Sequence, residues 1–383
     1  MSEARRVLGR LWPAIRRETP PEAAARPRTA WLAVVQARLE NEAFRTPQAF
    51  QDYVTGLARR ANAGREEGEP GLIAFPEMIG LGLAFTLNDG PGINVPLGAA
   101  IRALLRRDWR AALGLAIRQR RANASSLTLA GAAMVRAAYF QAFAHAARET
   151  GCFIQSGTAL LPTFEEEAAL GLHVKDLGVR NIGFLFTPGG RVLASQAKVN
   201  LTGGLESWLG LKRASERDIA VAQTPLGGVG VLVCYDAFFE SLVARLDALG
   251  AGVLLQPSAN ARAWNAPWTG DAARVEGEEW LRRGPASLIQ GRANLRVSLN
   301  PMLVGTLGGM AFEGRSNIAV NELLLDTQQV AGLQTGRAVA ENGDVLGYSA
   351  FGEPSLTPLA RGVVALAARP DHEAVLGLHL PLR

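Results

Sequence analysis

The stretch GVGVLVCYDAFFE, residues 228–240, joins an apolar run of glycine and valine directly to Cys234, Tyr235 and an aspartate. The run has the composition of a buried strand, and the segment 238–250 that follows it has helical spacing and a glycine stop. In open α/β folds, ligands bind at the carboxyl edge of the strands. A cysteine at this edge, close to a helix N-terminus that favours a thiolate, is placed to act as a nucleophile.

The rest of the chain alternates between strand patterns and helix patterns, which predicts an α/β fold with a largely buried sheet. The 383 residues are 48% hydrophobic and 20% charged, which is ordinary for a globular protein. Predicted strands cover 29–40, 71–78, 152–162, 179–199, 228–235, 251–259, 316–322 and 323–330, predicted helices cover 46–64, 97–121, 129–151 and 238–250, and 280–301 reads as a helix followed by a strand.

The composition excludes several classes of protein. A net charge of +5 is basic, but no nucleic-acid-binding signature accompanies it, so we expect no nucleic-acid partner. Two cysteines, Cys152 and Cys234, exclude a disulfide framework, and with four scattered histidines they form no metal-ligand pattern, so we expect neither a metal nor a cofactor. We interpret Cys152, which begins an apolar strand, as a small buried hydrophobe.

The sequence predicts a cytoplasmic protein. No apolar run reaches the length of a membrane span. The N-terminus, MSEARRVLGRLWPAIRRETPPEAAARPR, is basic, but Arg10 interrupts its apolar part and no convincing cleavage site follows, which argues against a signal peptide.

A thiol nucleophile needs a base and a group that stabilises negative charge. No histidine lies at a comparable strand end, but Glu77 closes the strand GLIAFPEM (71–78) and Lys198 closes VLASQAKVN (192–200). A lysine that ends an apolar strand is costly unless a carboxylate lies nearby. Each of these residues could be an ordinary surface charge, but three reactive side chains at three strand ends predict a shared site.

Four motifs resemble those of the carbon–nitrogen hydrolase (nitrilase) superfamily, in the family's order and over roughly 29–375. They are FPE at 75–77, AKVNLTGGLE at 197–206, CYD at 234–236 with a helix after it, and LLQPSA at 254–259. The resemblance implies an αββα four-layer sandwich, which in this family usually pairs two-fold, so a homodimer or higher oligomer is expected.

The resemblance also assigns roles to residues of this chain. It implies that Cys234 is the nucleophile and Glu77 the base, and that Lys198 with the Tyr235 N–H stabilises the developing oxyanion. A second active-site glutamate of many members falls on Glu206, where it would position Lys198 or the substrate; the alternative for Glu206 is a solvated loop glutamate. Candidate pocket residues are Asn260, Trp264 and Trp268.

The function implied by the resemblance is hydrolysis of a non-peptide carbon–nitrogen bond through a cysteine thioester, with release of ammonia or an amine. CYD is closer to the amidase and carbamoylase branches, so a small-molecule amide or N-carbamoyl substrate is expected. Alternatives are nitrile hydrolysis, N-acyl transfer from the same thioester, and a non-catalytic membrane-surface binding protein on the same fold.

The interval between Glu77 and Lys198 is long for the family, which predicts a helical insertion at about 85–125. Its apolar residues share one helical face and arginines cover most of the rest. The helix either packs on the domain or a dimer partner, or contacts a membrane surface weakly, as the basic N-terminus could. We divide the chain into a basic N-terminal extension (1–28), a carbon–nitrogen hydrolase domain (29–375) and a C-terminal tail (376–383).

Overall fold

The computed structural model describes residues 29–87, 90–119, 124–167, 171–324 and 362–381. The strands are β1 Thr29–Gln36, β2 Arg38–Leu39, β3 Gly71–Ala74, β4 Phe153–Gln155, β5 Ala159–Glu167, β6 Gly171–Phe186, β7 Val192–Ala197, β8 Val221–Thr224, β9 Gly227–Val231, β10 Val253–Leu255, β11 Ser258–Ala259, β12 Pro267–Trp268, β13 Asp271–Val275, β14 Val297–Asn300, β15 Met302–Leu307, β16 Met310–Phe312, β17 Asn317–Val320, β18 Val363–Leu366 and β19 Ala374–Pro381. The helices are α1 Pro47–Asn62, α2 Leu81–Thr86, α3 Leu97–Gln119, α4 Ala124–Thr150, α5 Leu205–Trp208, α6 Glu240–Ala248, α7 Glu276–Arg283 and α8 Pro285–Leu288, with short 3-10 helices at Asn41–Phe44, Glu216–Asp218 and Cys234–Phe238.

Two large sheets share one design, in which three parallel strands form the centre and antiparallel strands form the flanks. The first sheet has the order β19-β1-β3-β4-β6-β5, with β7 paired to β6. Its strands β1, β3 and β4 are parallel. The second sheet has the order β18-β17-β14-β10-β9-β8, and its strands β9, β10 and β14 are parallel. The carboxyl ends of the parallel strands in each sheet therefore lie along one edge.

The alternation of side chains in β1 explains how the sheets pack. Trp31, Ala33 and Val35 belong to the apolar cluster formed with α1 and α4, whereas Leu32 and Val34 belong to the cluster between the two sheets. Successive side chains of a strand point to opposite faces, so a strand covered on both faces must be apolar throughout. Leucines and valines of α6 cover the outer face of the second sheet. Helices thus cover the outer face of each sheet.

The helix α1 forms for reasons that are visible in its sequence. Thr46 caps it by accepting a hydrogen bond from the Ala49 N–H (3.0 Å), and Pro47 occupies the first turn, where no N–H is needed. Phe50, Val54 and further apolar residues of one face are buried against the first sheet and α4. The helix therefore fixes the outer layer of the first sheet.

The prediction of a separate C-terminal tail at 376–383 is wrong for residues 376–381. Strand β19 pairs antiparallel with β1 along its whole length, from Thr29↔Pro381 to Gln36↔Ala374. Leu376, Leu378 and Leu380 alternate into the cluster between the sheets. The strand contains Gly377, because the Trp31 ring leaves no room there for a larger side chain. A short apolar segment with a glycine does not by itself indicate a strand, and this one was therefore not predicted.

Several other predictions differ in detail or fall outside the described residues. The segment 152–162 contains two strands, β4 and β5, with a polar bend between them rather than one strand. The N-terminal extension 1–28 lies outside the described residues, as does most of the predicted strand 323–330. Within the predicted insertion, residues 97–119 form α3, which packs against α4.

Candidate active site

Glu77 lies three residues beyond the end of β3, in a segment that the neighbouring loop holds firmly. The Phe75 N–H donates to the Gln155 carbonyl (2.9 Å), and the Met78 N–H donates to Thr158 Oγ1 (2.8 Å). Met78 has a φ of 59°, an uncommon conformation for a residue other than glycine. The loop approaches so closely that a Cβ at Gly157 would meet the Pro76 carbonyl oxygen at 2.0 Å. This packing fixes the Glu77 carboxylate at the carboxyl edge of the first sheet.

Cys234 begins a 3-10 helix just beyond β9, at the corresponding edge of the second sheet. Its φ is 51°, so the nucleophile candidate also lies in the left-handed region, at a cost of about 1–3 kcal/mol. Two contacts with the strand-end loop after β10 stabilise this conformation. The Cys234 N–H donates to the Pro257 carbonyl (2.9 Å), and Gln256 Nε2 donates to the Cys234 carbonyl (3.2 Å).

Lys198 follows the last residue of β7 and is 2% exposed. Its Nζ lies 2.8 Å from Glu77 Oε1 and 3.2 Å from Glu206 Oε2. Glu206, on α5, is itself 1% exposed, and its Oε2 accepts hydrogen bonds from the Thr202 N–H and hydroxyl, both at 2.8 Å. The alternative of a solvated loop glutamate is therefore wrong, because Glu206 is buried against the Lys198 ammonium.

The side chains of Glu77, Lys198 and Cys234 come from three strand ends and lie close together, with the Glu77 carboxylate at the centre. Its Oε1 accepts a hydrogen bond from the Lys198 ammonium (2.8 Å), and its Oε2 accepts one from the Ala259 N–H (3.0 Å), so Ala259 contacts both this carboxylate and the Cys234 thiol. The Cys234 Sγ lies 3.9 Å from the Ala259 carbonyl oxygen. The arrangement brings an acceptor, a cation and a thiol to one point, and it can deprotonate the thiol while the cation faces a developing negative charge.

Burial dominates the electrostatics of this cluster. It raises the pKa of Glu77, and the Lys198 ammonium opposes this rise. Burial and the Glu77 carboxylate also raise the pKa of Cys234, and the Lys198 ammonium opposes this rise. Burial alone would lower the pKa of Lys198, but Glu77, Cys234 and Glu206 outweigh it and raise that pKa.

Asn181 is a site residue that the sequence analysis missed. Its Nδ2 donates to Glu77 Oε1 (2.8 Å) and to Glu206 Oε1 (2.9 Å), so one amide bridges both carboxylates. The Lys198 N–H donates to the Asn181 carbonyl (2.9 Å), because β6 and β7 are neighbours. The signal was an asparagine inside the apolar strand VRNIGFLF, since a buried polar side chain requires partners.

Asp236, the third residue of CYD, joins the 3-10 helix of Cys234 to the loop that follows Lys198. It is fully buried, and its carboxylate accepts the Val199 N–H (2.9 Å) and the Asn200 N–H (2.6 Å). Burial raises the pKa of Asp236 to about 6, while these two N–H groups act in the opposite direction. Asp236 therefore links the segments of Lys198 and Cys234 without contacting the Glu77 carboxylate group directly.

The candidate pocket residues lie in different surroundings. Tyr235 is 43% exposed and its ring packs edge-on against Phe239. Asn260 is buried, and its Nδ2 donates to the Arg262 carbonyl (3.2 Å). Trp264 is half-buried against the apolar cluster that contains Cys234, whereas Trp268 lies on β12 with the Arg283 guanidinium 5.6 Å from its ring centroid.

Two cavities flank these elements. One of about 340 Å³ lies between β6, β7, β8 and β9, and its lining does not include the three converging side chains. The other, of about 100 Å³, is lined by Trp264, Gly277, Leu281 and neighbouring residues. Trp264 borders both this second cavity and the apolar cluster around Cys234.

The described part of the chain holds no group of three or more His, Cys, Asp or Glu side chains arranged to bind a metal ion. Within the same residues, no helix is both long enough and apolar enough to cross a membrane.

Comparisons with known proteins bear on the family and the fold of the chain. The carbon-nitrogen hydrolase family model matches residues 32–280. A double mutant of the amidase from Nesterenkonia sp. AN1 in complex with acrylamide is similar in structure, with a TM-score of 0.53, 17% identity, and coverage of 94% of this chain and 93% of that one. A crystal structure of an amidase from Nesterenkonia sp. gives a TM-score of 0.52 at 17% identity, covering 95% and 94% of the two chains. No curated protein sequence matches the chain.

The fold is thus the mixed α/β fold of the nitrilase superfamily. The chain belongs to the carbon–nitrogen hydrolase family, since the family model covers most of it. It is an enzyme of that hydrolase class.

We expect limiting iodoacetamide to alkylate Cys234 before Cys152. Cys152 is 0% exposed and its Sγ contacts Asn62 in the core, whereas Cys234 is 5% exposed and lies in the cluster of Glu77, whose carboxylate can take its proton. Peptide mass spectrometry after graded alkylation measures the order. The same experiment on Glu77→Gln should slow the labelling of Cys234 but not of Cys152; a reversed order in the wild-type protein would contradict the prediction.

Proposed function

We propose that the protein hydrolyses the carbon–nitrogen bond of a small amide or N-carbamoyl compound through a thioester on Cys234. The single observation that carries the proposal is the convergence of Glu77, Lys198 and Cys234 from separate strand ends: the ammonium lies 2.8 Å from the carboxylate, and Ala259 contacts both the carboxylate and the thiol. The amidases with similar folds, one of them described as a complex with acrylamide, support an amide over a nitrile.

In the first half-reaction, the Cys234 thiol gives its proton to the Glu77 carboxylate as the sulfur attacks the carbonyl carbon. The carbonyl oxygen becomes an oxyanion, which the Lys198 ammonium and the Tyr235 N–H stabilise. The carbon–nitrogen bond then breaks, and the leaving nitrogen takes the proton from Glu77 and departs as ammonia or an amine. The acyl group remains on the sulfur as a thioester.

In the second half-reaction, Glu77 takes a proton from water as the water oxygen attacks the thioester carbon. The second oxyanion collapses, the carbon–sulfur bond breaks, and the sulfur recovers its proton from Glu77. The carboxylic acid leaves, and the site returns to its starting state. Glu206 and Asn181 are positioning residues. Both Glu206 oxygens already accept hydrogen bonds from protein donors, so Glu206 and Asn181 fix the positions of Lys198 and Glu77 and do not contact the substrate.

A panel of short amides, N-carbamoyl compounds and nitriles, assayed for ammonia release, tests the proposal against a Cys234→Ala control. We expect amide or N-carbamoyl turnover in the wild-type protein alone. Added hydroxylamine separates the outcomes, since hydrolysis gives the acid and acyl transfer gives the hydroxamate. Turnover of nitriles alone, or equal ammonia release by the Cys234→Ala variant, would contradict the proposal.

We expect the acid limb of the kcat/KM profile to lie above pH 4.5, the ordinary pKa of a glutamate side chain. Glu77 must be ionised to accept the thiol proton, so the rate falls as the pH drops through its pKa, and burial raises that pKa. The measurement is kcat/KM against pH, with circular dichroism at each pH to exclude acid unfolding. A limb at or below pH 4.5 with an intact fold would show that Glu77 is not the base.

Asn181→Asp is expected to shift that acid limb to higher pH. The substitution keeps the shape of the side chain, removes the N–H that both carboxylates accept, and adds a third negative charge, which raises the pKa of Glu77. Asn321→Asp is the matched control, because Asn321 is equally buried but lies beyond the end of β17 at the opposite edge of its sheet. A purely structural role for Asn181 would lower activity equally at every pH.

A further inference from the structure

The helix α3 carries three large apolar side chains that no described part of the chain covers. Leu105, Trp109 and Leu113 are 44%, 53% and 52% exposed. They follow one another at intervals of four residues, so they form one stripe along the helix. The side of α3 that faces away from these three is anchored, since Ala100 and Leu104 are buried. The stripe is therefore a rigid, outward-facing apolar surface, which we call the α3 stripe.

Three exposed arginines of α3 lie next to the α3 stripe. Arg102, Arg106 and Arg110 are exposed, and at their positions on the helix they lie between and beside the three apolar side chains. The Arg110 guanidinium lies over the Trp109 ring, 5.3 Å from its centroid. The acid of this helix, Asp108, is engaged by the guanidinium of Arg107. The exposed face of α3 is thus both apolar and positively charged.

The charges argue against a second copy of the chain as the partner of this face. A two-fold interface places the same surface on both sides, so Arg102, Arg106 and Arg110 would meet a surface that carries the same three arginines. Like charges brought together at an interface are repulsive, and the acid of α3, Asp108, is already paired with Arg107. An anionic surface, in contrast, would accept the arginines and the apolar stripe together.

We propose that the α3 stripe docks on the anionic surface of a phospholipid bilayer. An apolar stripe of leucines and a tryptophan beside arginines is the pattern by which a helix lies in a membrane interface. Leu105, Trp109 and Leu113 insert at the boundary between headgroups and acyl chains, while the arginines contact lipid phosphates. Each arginine near such a surface adds about 1 kcal/mol of attraction, equivalent to about fivefold in binding. The enzyme would thereby act beside a membrane without crossing it.

Co-sedimentation of the full chain with vesicles tests this proposal. We expect binding to vesicles of phosphatidylglycerol mixed with phosphatidylcholine, and little binding to phosphatidylcholine alone. The triple variant Leu105→Gln, Trp109→Gln, Leu113→Gln should lose binding by at least about tenfold. Turnover of a free small amide should stay unchanged, because the α3 stripe is separate from the candidate site. Equal binding to neutral vesicles would overturn the proposal.

A matched control and a direct readout locate the contact. Leu249, at the end of α6, is 44% exposed, the same fraction as Leu105. The variant Leu249→Gln should therefore leave vesicle binding unchanged if the contact is specific to α3. Hydrogen exchange of peptides from 97–119 should slow when anionic vesicles are added. Two further results would overturn the proposal: equal loss of binding in the Leu249 variant, or full binding by the triple variant.

Discussion

Replacing Cys234 with alanine is expected to lower kcat/KM for an amide substrate by about 10⁴-fold or more, as removal of a nucleophile does in other hydrolases. The reason is that the proposed reaction passes through a bond to this sulfur, and the Glu77 carboxylate alone offers only slow activation of water. The fold should persist, because Cys234 is held mainly by its backbone, through Pro257 and Gln256. Steady-state kinetics with circular dichroism measure both effects.

The other cysteine provides the control for this experiment. Cys152 is buried beside Asn62 in the core, far along the chain from the site. Cys152→Ala should lower the free energy of unfolding by about 1 kcal/mol while leaving kcat nearly unchanged. If Cys152→Ala were inactive and Cys234→Ala active, the assignment of the nucleophile would be wrong.

Lys198→Met is expected to abolish turnover and to destabilise the protein by about 3–5 kcal/mol at neutral pH. Lys198 is the cation facing two buried carboxylates, those of Glu77 and Glu206. Without it, two negative charges lie close together in a medium that solvates them poorly, and no ammonium meets the oxyanion. Chemical denaturation and steady-state kinetics measure the two losses.

The destabilisation of Lys198→Met should depend on pH with a definite sign. In the variant, loss of the Lys198 ammonium raises the pKa of Glu77 further above its ordinary value of 4.5, so the folded state holds a proton that the unfolded chain releases. Stability relative to wild type therefore falls as the pH rises above about 4.5 and is recovered as the pH is lowered towards that value. A deficit that does not change with pH would show that lost packing, rather than unpaired charge, is the cause.

Lys212→Met is the matched control for this second prediction. Lys212 also ends near a carboxylate, Asp176 Oδ1 at 3.5 Å, but its side chain is 53% exposed. Surface pairs of this kind contribute about 0–1 kcal/mol, because water already solvates both charges. Lys212→Met should therefore change neither turnover nor the pH dependence of unfolding to a comparable degree.

Much of the fold could be predicted from local patterns. The buried strands β1, β3 and β9 read as apolar runs, and α1 has a cap, a proline and an apolar face in its sequence. The final strand, β19, was missed, because short apolar segments with a glycine are ambiguous until a pairing partner is known. Its partner, β1, lies more than three hundred residues earlier.

The candidate site shows the same division. Glu77, Lys198 and Cys234 could be selected because each ends an apolar strand, where a reactive side chain is unexpected. Asn181 and the burial of Glu206 could not, since an asparagine within a strand and a glutamate in a loop have many ordinary explanations. Their roles depend on distances of about 3 Å between segments far apart in the chain, which local composition does not encode.

By itself, the sequence determined the alternation of strands and helices, the strand ends that carry an acid, an ammonium and a thiol, and the amphipathic character of α3. Only the tertiary structure decided that the ammonium and the thiol lie close to the Glu77 carboxylate and that Asn181 bonds to the same carboxylate. It also decided that β19 completes the first sheet and that no described residue covers the α3 stripe. The physical reason is that patterns along the chain report burial and periodicity, whereas charge pairing and exposure are set by which segments pack together.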